Sequence, residues 1–259
     1  FLNDNWRFPI GLNPNYGEIL NSIVFSGAVP IFSFISKLLK SILPENFHFF
    51  SIWIILCFSL QFLFGYKIIY YLTKDNIYSL LAGLFFLISP ILIYRLNFHL
   101  SLGAHWLILA AILLDIDKNQ KHVLIKKIFL IVFSSLVHFY FTIILIFMNL
   151  FFSFFNNKQR ITYNFFKENF LVVLFLIIAM YFVGYFHIPA TDALGFGYGY
   201  YKTNFLSFVD PMPSSNSNNW SMILPDIYNF NGESEGFAYL GLGILILVLY
   251  LTVKNIENL

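Results

Sequence analysis

The sequence predicts an all-α protein, a polytopic bundle of transmembrane helices with a long loop on the non-cytoplasmic side. Three observations predict it. Of the 259 residues, 59% are hydrophobic and only 11% are charged, where a soluble domain carries about 25% charge. The apolar residues are gathered into runs of roughly 17 to 30, the length a helix needs to cross about 30 Å of hydrocarbon, and do not alternate as the strands of a β-barrel would. Asn, Pro, Gly and charged residues collect between those runs, where turns belong.

Taken in order, residues 1–46 read as the end of a first external loop. FLNDNWRFPIGLNPNYGE is rich in helix-breaking residues, and residues 19–43, with Ser22, Ser26, Gly27, Pro30, Lys37 and Lys40, resemble juxtamembrane or re-entrant helices more than a clean span. Transmembrane spans fill residues 47–187: 47–72, 77–94 and about 100–114, followed by the polar loop DIDKNQKH. The apolar run 124–155 is longer than one crossing needs and has Ser134, Ser135 and His138 at its middle, so it reads as two short helices meeting near His138. A span over 169–187, an external loop over 188–236 and a last span over 237–253 complete the chain. The chain starts without Met or a signal-peptide pattern and ends just after an apolar run, so it reads as a piece of a longer protein that lacks an N-terminal span.

Orientation follows from Lys and Arg, which short cytoplasmic loops retain. With the loops near residues 73, 120, 160 and 254 cytoplasmic, that side holds ten Lys/Arg against five Asp/Glu, and the other side five against eight. The N-terminal loop, the turn from Arg95 to His105, the turn at His138 and the 188–236 loop then share the non-cytoplasmic face. A bacterial inner membrane is the expected location.

Several classes drop out. A net charge of +2, with no basic patch interleaved with aromatics, excludes nucleic acid as a partner. The one cysteine, Cys57, allows no disulfide and no Cys-based metal site within the chain, and reads as packing. HExxH, GxSxG and metal-spaced Cys/His sets are missing, so hydrolase and metalloprotease readings have no support.

What remains is YRLNFHLSLGAHW, residues 94–106. Arg95 sits at a span end, where it would either snorkel to the lipid head groups or face a polar cavity. If the helix continues, Arg95 and His99, four apart, share a face and could grip one anion. His105, six further on, joins them only through a bend at Gly103 or a turn. His138 would be either a hydrogen-bonded core histidine or the tip of a re-entrant turn lining a cavity. Transfer onto a hydroxyl needs a base, and a carboxylate could serve so or hold a divalent cation. Asp4, Glu18 behind the NPNYG turn and Glu235 beside the last span are the preferred acids. Tyr198, in GFGYG, would stack on a sugar ring or a lipid head, or belong to the interfacial aromatic belt.

WRFPIGLNPNYGE, SIVFSGAVPIFSF, LPENFHFFSIWIILCFSLQ, SPILIYRLNFHLSLGAHWLILA, LVHFYF and EGFAYLGLG together resemble an uncharacterised family of bacterial multi-spanning membrane proteins. That family in turn resembles the GT-C superfamily of glycosyltransferases, which take sugars from polyprenyl-phosphate carriers. The resemblance implies a base or metal-holding acid in the first external loop, at Asp4, Glu18 or upstream of Phe1, and a carrier-phosphate site at Arg95, His99 and His105. It also leads us to expect Asp where this chain has Gly27. The implied activity is transfer of a sugar from a polyprenyl-phosphate donor to a cell-envelope glycan or lipid acceptor, with membrane lipids as surroundings. The alternatives are a non-catalytic lipid or glycan transporter and a structural subunit of an envelope assembly.

Overall fold

A computed structural model describes residues 1–13, 21–44, 47–117, 119–156, 161–187, 205–209 and 237–255. The regular secondary structure of the described residues is helical, apart from one antiparallel pairing of Leu12–Asn13 (β1) with Asn21–Ser22 (β2). The helices are α1 (Pro30–Leu38), α2 (Phe50–Thr73), α3 (Asn76–Leu87), α4 (Pro90–Phe98), α5 (Trp106–Ile116), α6 (Val123–Ser135), α7 (Phe139–Asn156), α8 (Tyr163–Val183) and α9 (Leu242–Lys254). Three stretches are long and apolar enough to cross a membrane: Phe50–Thr73, Asn76–Phe98 and Tyr163–Val183. Leu100–Ile116, Phe139–Phe155 and Leu242–Lys254 are apolar but shorter.

The boundaries have local causes. Lys74 turns left-handed at the end of α2 (φ 57°), and the Asp75 carboxylate then accepts the Ile77 and Tyr78 N–H groups at 2.7 and 3.0 Å, capping α3. Pro90 cannot continue the i→i−4 ladder, so it divides Asn76–Phe98 into α3 and α4. Residues 77–94, expected as one span, are thus two helical pieces. The run 124–155 does split, at Leu136–His138. Thr162 caps α8 by accepting the Phe165 N–H at 3.2 Å. Gly184 ends α8 at φ +99°, where any side chain would be strained.

The chain forms two compact units, Phe1–Leu87 with Phe98–Ala193 and Ile88–Asn97 with Leu194–Leu259. In the first, α2 and α3 form a close hairpin in which small residues receive rings. A Cβ on Gly65 would lie 2.4 Å from Phe86, and one on Gly83 would lie 2.8 Å from Phe62. The α2 side chain of Trp53, wholly buried, donates its indole N–H to the Leu100 carbonyl at 2.7 Å. At the start of α6, Lys127 forms an ion pair with Asp115 of α5, both side chains largely buried. Asp115 had read as part of a polar loop; it lies inside α5 instead.

The N-terminal segment clasps the end of α8. Ile10 donates to the Phe182 carbonyl at 2.9 Å and the Ser22 hydroxyl to the Val183 carbonyl at 3.1 Å, taking two of the acceptors that a helix end leaves over. Phe8 packs on the Tyr181 and Phe182 rings. In the second unit, Tyr94 stacks on Phe237 with ring centres 4.3 Å apart, and these two with Tyr239 form its buried core.

Candidate functional site

The break between α6 and α7 organises one end of the first unit. Where α6 stops, its last carbonyls lose their helical partners, and other segments supply donors: the Tyr185 hydroxyl to Ser135 at 2.5 Å, and the Ile31 N–H of α1 to Leu136 at 2.8 Å. The Ser134 hydroxyl donates to Ile131 at 2.7 Å and lies 3.1 Å from the Thr142 hydroxyl. Irregular backbone between apolar helices persists only where it is satisfied in this way. Burial pushes the Tyr185 phenol above its ordinary pKa, so it stays the neutral donor this contact needs.

His138 is the last residue of the break. Its N–H donates to Ser134 at 2.9 Å, and its Nδ1 accepts the Tyr140 N–H at 3.2 Å. The neutral ring therefore carries its proton on Nε2. His105 immediately precedes α5, and its ring meets the edge of Phe141 with centres 6.0 Å apart. Phe141 in turn donates its backbone N–H to the His138 carbonyl at 3.1 Å. The structure thus brings His105 and His138, both half-buried, to the same corner, with Phe141 between. His138 is thus hydrogen-bonded through its ring to a backbone N–H and stands at the break between two helices.

The remaining expected residues are placed differently. A 3-10 turn over Leu100–Gly103 intervenes between His99 and His105 before α5 begins. His99, exposed, leads into that turn with φ −141° and ψ 85°. The condition for a common helical face with Arg95 is therefore not met, because α4 ends at Phe98 and the i,i+4 register ends with it. Arg95 belongs to the second unit, where its guanidinium lies 5.8 Å from the Tyr94 ring centre. Glu18, Glu235, Tyr198 and the GFGYG segment lie outside the described residues. Among the described residues no group of three or more His, Cys, Asp or Glu could hold a metal ion.

Asp4 has company that sequence reading missed. In α1 the polar residues Ser33, Ser36 and Lys37 are buried, while Ile35 and Leu38 on the other faces are 42% and 69% exposed. With Phe34 buried beside them the inward face is mixed and the outward face apolar, which suits an element with lipid outside and polar contacts inside. The Lys37 ammonium lies 4.0 Å from the Phe1 ring centre and 4.6 Å from that of Trp6. Burial lowers the Lys37 pKa, the Asp4 carboxylate opposes that shift and Lys40 adds to it. Ser36 and Lys40 line a cavity of about 410 Å³ with Asn3, Leu43, Pro44 and Phe47. The spacing Ser33, Ser36, Lys37, Lys40 was the available signal, since it marks one polar helical stripe.

Residues 1–258 match the family model described as a domain of unknown function, DUF6311, and the chain belongs to that family. No curated protein and no solved structure matches it.

Proposed function

We propose that the protein is a GT-C-like membrane glycosyltransferase, moving a sugar from a polyprenyl-phosphate donor to a cell-envelope glycan or lipid acceptor on the non-cytoplasmic side of a bacterial inner membrane. The observation that carries this reading is the polar interior at one end of an apolar helical unit. The buried stripe of α1 lies there with Asp4, and α1 is hydrogen-bonded to the break that ends in His138.

Chemically, a base takes the proton of the acceptor hydroxyl, the freed oxygen attacks the sugar's anomeric carbon, and polyprenyl phosphate leaves with the bond electrons. Asp4, Glu18 and Glu235 are proposed as the acids that could serve as base or hold a divalent cation. Arg95 and His99 are each proposed as cations for the donor phosphate, which neutralise the charge that grows on the leaving group. His105 and His138 are proposed to line the donor site, and Tyr198 to stack on the sugar.

A transporter is the competing reading, favoured by the interruption of the 123–156 helical run at Leu136–His138, since transporters build substrate sites from discontinuous helices. Sugar transfer from a labelled polyprenyl-phosphate donor, assayed in membranes, separates the two. Transferase chemistry predicts turnover that falls tenfold or more in Arg95→Ala and His99→Ala. Wild-type turnover with unchanged donor affinity in both variants removes the phosphate role, and donor movement across the membrane without transfer favours the transporter.

A further inference from the structure

We propose that the first unit binds an anionic phospholipid in a groove between α2, α5 and α6, with the acyl chain along its apolar walls and the phosphate at Lys67, Lys74 and Lys126. The groove encloses about 980 Å³. One face of each helix lines it. On α2 the residues Phe64, Lys67, Tyr70 and Tyr71 recur at helical spacing with Lys74 at its C-cap, and Trp106, Ala110 and Leu113 do so along α5 with Asp117 at its C-cap. The α6 wall is Ile125, Lys126, Phe129 and Leu130.

The polarity is graded along the groove. Phe64 and Trp106 stand nearly parallel at one end, 6.0 Å apart. Beyond that end the walls carry ammonium groups, Lys67 about one turn past Phe64, Lys74 at the end of α2 and Lys126 on α6. Lys126 donates to the Gln120 side chain at 2.9 Å, and the Lys74 ammonium lies 4.5 Å from the Tyr71 ring centre. Between Trp106 and Asp117, eleven residues of α5 give a wall about 17 Å long, a length over which an extended acyl chain can lie. The side is open: Ile125 and Phe129 are 64% and 66% exposed, so a lipid can enter sideways from the bilayer.

Charge selects the occupant. Three lysines face one carboxylate, Asp117, whose Oδ1 already accepts the Asn119 N–H at 3.1 Å. The nearby Asp115 is neutralised by Lys127. The mouth is thus net positive over an apolar cleft, the arrangement by which basic pockets between membrane helices hold phosphate head groups. A zwitterionic lipid would bring its own ammonium against these lysines. A free phosphate would leave the aromatic end unused.

The test uses detergent-purified full-length protein and native mass spectrometry with phosphatidylglycerol, phosphatidylcholine or inorganic phosphate. Wild type should retain phosphatidylglycerol at least tenfold better than phosphatidylcholine, with no displacement by millimolar phosphate. Each Lys→Gln change at Lys67, Lys74 or Lys126 should weaken retention about fivefold. Ala110→Leu, which fills the groove without touching charge, should abolish it and keeps the test valid if a lysine variant fails to fold. Equal retention of the two lipids, displacement by phosphate alone, or unchanged binding in Ala110→Leu and the lysine variants each overturns the proposal.

Discussion

At the scale of single residues, the chain depends on a few positions where backbone meets backbone. Gly11 is one, because a Cβ there would sit 2.2 Å from the Val183 carbonyl oxygen, in the clasp on the end of α8. Gly11→Ala should therefore destabilise the protein toward the upper end of the about 1–3 kcal/mol typical of overpacking, read as a fall in the detergent unfolding midpoint. Tyr185 is another. Tyr185→Phe leaves the Ser135 carbonyl without its donor, at a cost of about 1–3 kcal/mol. Its pH dependence has a definite sign. Because burial raises the folded pKa above the unfolded value of about 10, the contribution is fully present below pH 10 and is lost as pH rises further. Unfolding midpoints of wild type should fall more steeply above pH 10 than those of Tyr185→Phe, and parallel curves would contradict this. Neither residue stood out in the sequence. Gly11 resembles any loop glycine and Tyr185 any interfacial tyrosine until their partners, 172 and 50 positions away, are in place.

At the scale of elements, hydropathy revealed most of the architecture. The α2 and α8 stretches are apolar for long enough to need no tertiary information, and the polar triplet Ser134, Ser135 and His138 marked the α6–α7 break correctly. Other features were hidden. Pro90 interrupts its span although the apolar run continues across it, and α5 begins only at Trp106, after a 3-10 turn. The inward polar face of α1 and the Asp115–Lys127 pair depend on which neighbour each helix meets. That pair gives an element-scale prediction. Asp115→Ala leaves the Lys127 ammonium buried and uncompensated where α5 meets α6, and should cost about 3–5 kcal/mol. The double change Asp115→Leu with Lys127→Met should recover most of it, measured as unfolding midpoints of the purified protein. Additive losses in the double variant would show that the two side chains do not act as a pair.

At the scale of the whole molecule, the sequence specified a membrane protein because composition alone removes the soluble alternatives. The candidate site was less legible. His105 and His138 do come together in the first unit through Phe141; the charge pattern put both turns on one face, but nothing in the sequence named Phe141 as the residue between them. Lys37 joined Asp4 only once α1 had folded. The claim on which the functional reading rests is sidedness: the end of the first unit bearing His105 and His138 meets the non-cytoplasmic water, and the end bearing Asn119 does not. Cysteine labelling tests it directly, because the only native cysteine, Cys57, is buried in α2 and can be replaced by Ser. In that background, Gly27→Cys, at an exposed position with open space around it, should react with a membrane-impermeant maleimide on intact spheroplasts. Asn119→Cys, also exposed, should react only after permeabilisation. The reverse pattern, or equal labelling of both sites from outside, would contradict the account.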